Sequence, residues 1–161
     1  MKIDRPKERI DKKALPAWRL RGAIYAFFEI LVVVAYFIVR HVAFDLPVLP
    51  GIILGILVGG IIVMQIFIIP AVRMVYWGYE IRESEIDIQH GIIVIKRVLI
   101  PMVRIQHVDT EHGPILRKFG LATLSISTAG TNHKIPALKM ETAKTLRAQI
   151  AYLASVSDED V

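Results

Sequence analysis

Two apolar runs near the start of this chain leave it few ways to fold. The first, AIYAFFEILVVVAYFIV (Ala23 to Val39), has 17 residues and is broken only by Glu29. The second, LPVLPGIILGILVGGIIVMQIFIIPAV (Leu46 to Val72), has 27. Crossing a bilayer as a helix takes about 20 apolar residues, with roughly 17 the lower limit. Val42 to Phe44 can extend the first run; Pro50 suits the start of a helix in the second and Pro70 its end. A chain of 161 residues has too little other material to bury two such helices in a soluble core. The reading is a transmembrane hairpin within residues 23–72, with spans at about 23–43 and 50–70. A cleaved leader fits poorly, because no small-x-small site follows Val39 and a second span comes almost at once.

Charge sets the orientation. Residues 1–22 hold eight basic side chains against three acidic ones, which accounts for the whole net charge of +5. From Arg73 onward eleven basic residues face ten acidic ones, and the link between the spans carries one basic residue, Arg40. The positive-inside rule then predicts a multi-pass protein of the inner (cytoplasmic) membrane with both termini in the cytoplasm and residues 1–22 as a basic tail. Nucleic acid is not an expected partner, since the folded part has no basic excess. The absence of cysteine removes disulfides, thiolate catalysis and cysteine-based zinc sites.

Inside the second span Gly51, Gly55 and Gly59 repeat every four residues, a spacing that allows close helix packing, with Gly22 and Ala26 as the facing surface. Glu29 and Gln65 are the strongly polar side chains of the two spans. Each lies eight residues from a cytoplasmic-end arginine, Arg21 and Arg73, or roughly 12 Å at 1.5 Å per residue. Antiparallel helices bring them to one level. A carboxylate in hydrocarbon is costly, so the Gln65 amide is the expected donor to Glu29.

After Arg73 the hydrophobic period becomes two. Ile86 and Ile88 alternate with Glu85, Asp87 and Gln89, which predicts a half-buried strand. Gly91 turns the chain into a β-branched strand, Ile92 to Ile100, stopped by Pro101. Arg104 to Asp109 is a further strand, and GPILRKFG (Gly113 to Gly120) is a connection of about one helical turn. LATLSIST alternates again, AGTN turns, and His133 to Ile135 pairs back. Met140, Ala143, Leu146, Ile150 and Leu153 form an apolar stripe on a helix from about Lys139 to Leu153. The expected fold class is α+β: a two-helix membrane hairpin, then a domain at 73–154, then an acidic tail at 155–161.

Small sheets followed by one amphipathic helix suggest a pleckstrin-homology-like (PH-like) β-sandwich or barrel. The run IPMVRIQHVDTEHGPILRKFGLATLSISTAG, Ile100 to Gly130, resembles the signature of the bacterial PH-like domain in the YdbS family of small membrane proteins. Its weight rests on Arg104-Ile105-Gln106, Gly113-Pro114, Phe119-Gly120-Leu121-Ala122 and Thr128-Ala129-Gly130. The order of basic segment, two spans and one such domain matches too. The resemblance implies a PH-like fold at the membrane, without a known chemistry. It also implies a partner, a larger membrane protein carrying several related domains; a second copy of this chain is the alternative.

The polar residues of that run read as scaffold and surface rather than catalysis. His107 and Asp109 point the same way on a strand and His112 follows, but nothing nearby in the sequence orients them, so no metal is expected. Ser125 and Ser127 occupy the polar side of a strand, not a strained elbow, and the glycines match no phosphate loop. No catalytic residue and no cofactor is assigned. Arg104, Gln106, Arg117 and Phe119 are the candidate partner-binding residues, because the family-like positions outnumber what turns and a core require.

The expected function is therefore a non-enzymatic interaction or assembly module held at the cytoplasmic face. The alternative is an anionic-lipid sensor, in which Lys96, Arg97, Arg104, Arg117 and Lys118 touch membrane lipid. The turn at Ile81 to Glu85 is net acidic, which argues against phosphoinositide binding there. Replacing Lys12, Lys13, Arg19 and Arg21 with glutamine is expected to leave a fraction of the protein inverted or uninserted. Protease accessibility of the C-terminus from the cytoplasmic side measures it; unchanged accessibility contradicts the topology reading.

Overall fold

The chain changes from helix to sheet where its period changes. The computed structural model describes residues 6–42, 47–92 and 94–159. Residues 1–5 of the basic tail, Ala43 and Phe44 of the first span's extension, Leu46, Ile93 of the third predicted strand and residues 160–161 of the acidic tail lie outside the described residues. Two compact units result: residues 18–71, and residues 1–17 together with 72–161.

The helical unit follows from continuous apolar sequence. Helix α1 is Ala14–Val42; α2 (Val48–Val63) runs through a π-helical turn (Met64–Ile68) into α3 (Ile69–Tyr76). The two continuous helices have 29 residues each, about 44 Å at 1.5 Å per residue, more than the ~30 Å of hydrocarbon a span must cross. Their most apolar windows are 11% and 0% buried within the protein, which no core helix of a soluble domain shows. Phe27, Phe28, Ile56 and Phe67 stand exposed as lipid-facing side chains do.

In the second unit, β1 (Gly78–Ile81), β2 (Glu85–His90) and β3 (Lys96–Pro101) make one antiparallel meander. A 3-10 turn (Met102–Arg104) leads to the other: β4 (Ile105–Glu111), β5 (Leu121–Thr128) and β6 (Asn132–Lys139). The short α4 (Pro114–Lys118) starts at the Gly113-Pro114 pair, with proline in its first turn where a missing N–H costs nothing. Gly120 ends it at φ 68. Helix α5 (Met140–Glu159) buries Ala143, Leu146 and Ile150 against Ile86, Ile88, Ile100, Leu124 and Ile126 from the two sheets, forming one apolar core. This is the α+β, PH-like arrangement: two three-stranded sheets and a C-terminal helix.

Several boundaries differ from the sequence reading. The strand expected at Ile92 starts only at Lys96, because Gly91, Ile92, Val94 and Ile95 lie in the connection between β2 and β3. Strand β6 runs on past Pro136, with Ala137 at φ 54 near a register shift in the β5–β6 ladder. Helix α5 continues through residues 155–159, which were expected as a tail.

The largest departure is at the N-terminus, where the described part of the basic segment is structural. The Glu8 N–H donates to the Tyr79 carbonyl at 3.1 Å, and the Tyr79 N–H donates back at 2.9 Å. This pairing occupies the edge of β1 that would otherwise be open. The Asp11 N–H donates to the Ala137 carbonyl, and Ile10, Ala14 and Ala17 are buried. Arg19 and Arg21 are already in α1, their guanidinium groups over the rings of Phe67 and Tyr25. Burial of three small apolar residues decided this, and charge counting does not register it.

Asp87 is the second departure. Alternation puts it on the solvent side of β2, yet it is fully buried, and the Arg97 guanidinium donates to both of its oxygens from the neighbouring strand. Its removal leaves a buried carboxylate unpaired, which costs about 3 kcal/mol or more. Arg97→Ala is therefore expected to lower the unfolding midpoint strongly in a urea titration in detergent. Asp87→Ala should cost less, because an arginine 31% exposed can turn to water. Equal small effects would show that the pair is unimportant to stability.

Candidate functional site

Two groups of residues carry chemistry beyond packing, one in each unit. In the helical unit the Gln65 amide nitrogen donates to a Glu29 carboxylate oxygen at 2.7 Å, both side chains being half-buried. Gln65 lies in the π-helical turn, where the Ile69 N–H reaches back to the Met64 carbonyl five residues earlier. Such turns add a residue to the helical repeat and re-aim the side chains around them. Gly22 packs under the same turn: a Cβ there would come within 3.1 Å of the Gln65 carbonyl oxygen.

The three glycines of α2 are not equivalent. A Cβ on Gly51 would lie 2.6 Å from the Tyr36 ring and 2.9 Å from Phe37. The Tyr36 hydroxyl also donates to the Pro47 carbonyl at 2.9 Å, which pins the ring. Gly55 would make only an ordinary contact with Val33, and Gly59 has nothing within 4 Å. Four residues turn an α-helix through about 400°, so an every-fourth stripe drifts about 40° per step away from its neighbour. Close packing belongs to Gly51, then, and not to Gly59.

The four candidates on the domain do not form one cluster. Arg104 and Gln106 flank the start of β4, whose Ile105 pairs with Thr128. Arg117 and Phe119 follow its far end, where Glu111 pairs with Thr123. Six strand steps separate those ends, about 20 Å at ~3.4 Å each. Arg104, Gln106 and Arg117 are exposed, and Phe119 is half-buried. Among the described residues, no hydrogen bond or ion pair engages the guanidinium group of Arg104 or of Arg117. The other signature residues have structural work: Gly113-Pro114 and Gly120 bound α4, and the Thr128 hydroxyl donates to the Thr131 carbonyl to close the β5–β6 turn.

Other polar candidates resolve into local hydrogen bonds. Ser125 donates to the Asn132 side-chain oxygen, and His133 pairs with the Thr131 hydroxyl, so among the described residues no side-chain hydrogen bond joins a serine to a histidine. His107, Asp109 and His112 are exposed, and among the described residues no three metal-ligating side chains gather. At the β1–β2 turn Arg82 is held by Glu80 and Glu85, which neutralise the cation a phosphate would need.

Sequence reasoning missed the aromatic pair at the other end of that sheet. The Trp77 and His90 rings stack with centroids 5.1 Å apart, and burial, then Lys96 and His133, lower the His90 pKa from its ordinary value. Beside it, burial and then the Glu8 carboxylate push the Tyr79 hydroxyl well above the usual tyrosine range. Only the tertiary pairing of residues 77 and 90 shows this; a tryptophan just after the last apolar turn was the available sign.

The family model of the bacterial PH domain matches residues 23–154. The UPF0699 transmembrane protein YdbS of Bacillus subtilis (strain 168) is 48% identical over 160 residues, covering 98% of this chain and 99% of that protein. No solved structure matches.

The glycines provide a direct check on the hairpin. Gly51→Leu is expected to overpack against Tyr36 and cost about 1–3 kcal/mol. Gly59→Leu should leave the thermal midpoint in detergent unchanged. A reversed order would mean that the α2 stripe packs through its other end.

Proposed function

The chain belongs to the bacterial PH domain family and is a membrane protein, and from that premise we propose that it is a non-enzymatic module presenting its PH-like domain at the cytoplasmic face for assembly with another protein. The observation that carries this reading is the state of Arg104. It stands exposed in the part of the sequence most like the family, and no carboxylate or carbonyl among the described residues engages it. An arginine that ties its own loops together has such a partner; an exposed one without it is available to an interface, where arginine is enriched. Arg117 repeats the pattern at the other end of β4. An interface of ordinary size, about 800 Å² per partner, is wide enough to take in both ends.

The partner this reading favours is a larger membrane protein with related domains, met in the plane of the same bilayer. A lipid headgroup is less well served, because Arg82 is already occupied by Glu80 and Glu85. The basic residues ahead of α1 serve orientation, with both termini cytoplasmic.

Crosslinking of the full-length protein in its native membrane tests the proposal. Arg104→Ala should reduce recovery of the crosslinked partner several-fold while leaving the thermal midpoint in detergent unchanged. Unchanged recovery refutes the interface. A lowered midpoint assigns Arg104 to the fold instead.

A further inference from the structure

The sheet formed by β1, β2 and β3 has two unlike ends. At one end the β1–β2 turn is Arg82-Glu83-Ser84-Glu85, charged and exposed or half-exposed. At the other, the β2–β3 turn carries Ile92, Val94 and Ile95, which are 38%, 68% and 49% exposed. Elsewhere on this unit the large exposed apolar side chains Val75, Leu99 and Val103 stand apart along the chain, and Tyr152 and Val156 make only a pair one turn apart on α5. Three in one turn form a patch of the kind that marks an interaction surface. Gly91 holds the turn in shape: at φ 148 its backbone folds so tightly that an added Cβ would collide with the Val94 carbonyl.

The register of the sheet says what this patch meets. Gly78 pairs with Gln89, and Gln89 with Arg97, so the first residue of β1 lies beside the base of the apolar turn. Helix α3, the end of the second span, stops at Tyr76, and only Trp77 stands between it and Gly78. Trp77 stacks on His90, the last residue before the turn. The apolar end of the sheet is thus the end at which the chain arrives from its own membrane helix. Its borders are a tryptophan, the residue type that collects at the lipid–water interface, and the exposed Lys96, suited to lipid phosphates.

We propose that the β2–β3 turn is a membrane-insertion tip that seats Ile92, Val94 and Ile95 in the interface of the bilayer the chain itself spans. The contact is apolar and differs in kind from headgroup recognition at the β1–β2 turn. It stands independently of the Arg104 surface, which lies on the other sheet. A tip held in lipid by one turn would fix which face of the domain is left open to partners.

The chain has no cysteine, so one introduced thiol carries one label. Full-length Val94→Cys, labelled with an environment-sensitive fluorophore, is reconstituted into nanodiscs of phosphatidylcholine and of the same lipid brominated along its acyl chains. Glu83→Cys, at the charged end of the sheet, is the control. The expected result is strong quenching of the Val94 label by brominated lipid, a blue-shifted emission and protection from aqueous iodide. The Glu83 label should show the reverse, and Ile92→Cys should repeat the Val94 pattern. Iodide quenching at Val94 equal to that at Glu83 overturns the proposal. So does protection from both quenchers, which would mean that protein covers the tip, and so does lipid quenching equal at both ends.

Discussion

The two-way backbone pairing of Glu8 with Tyr79 is the constraint on which the rest depends. It joins a segment that precedes both membrane helices to the strand that follows them. With Asp11 bonded to Ala137 and Ile10 buried, the domain is assembled from two pieces of chain, and the helical hairpin is an excursion that leaves it and returns. A strand edge left open is a template for wrong pairing. Here the described part of the basic segment closes that edge and so serves the fold. Arg9 adds a third tie, donating to the Val75 carbonyl in the last turn of α3, where helix carbonyls lack partners of their own.

Within the hairpin, cohesion comes from close approach more than from polarity. A hydrogen bond such as that of Gln65 to Glu29 contributes about 0.6 kcal/mol on average in a membrane, enough to select a register and not enough to hold two helices. Packing at Gly22, Ala26 and Gly51 does the larger part, since lipid offers apolar side chains no gain on association. The π-helical turn sits where these influences meet. It carries Gln65, and its carbonyl lies over Gly22.

In the domain, the stretch that looks most like an active site divides into two kinds of residue. Glycines, Pro114 and the threonines at 128 and 131 build turns, and Ser125 and His133 satisfy local hydrogen bonds. Others, Arg104, Gln106 and Arg117 among them, face water. Polar side chains outside the turns and local hydrogen bonds stay at the surface, so a conspicuous sequence can be largely scaffold.

Local periodicity was enough to read the spans, the alternation of β2 and β5, the one-turn α4 and the apolar stripe of α5, because each depends on neighbours a few residues away. Counting at a fixed rise per residue also put Glu29 and Gln65 at one level, and the structure joins them. Other features depend on pairings between distant residues, and no pattern along the chain encodes those. The burial of Asp87 depends on Arg97 across a ladder, and the loss of Gly59 from the packing depends on how far a helix turns before its neighbour diverges. The separation of Arg104 from Arg117 depends on the length of β4, and the apolar tip beside Trp77 on the register of β1 with β2. The sequence by itself determined which segments are helix, strand and span, since those follow from the spacing of apolar side chains. Only the tertiary structure decided which residues close the domain and which are left exposed, because burial is a property of what lies nearby in space.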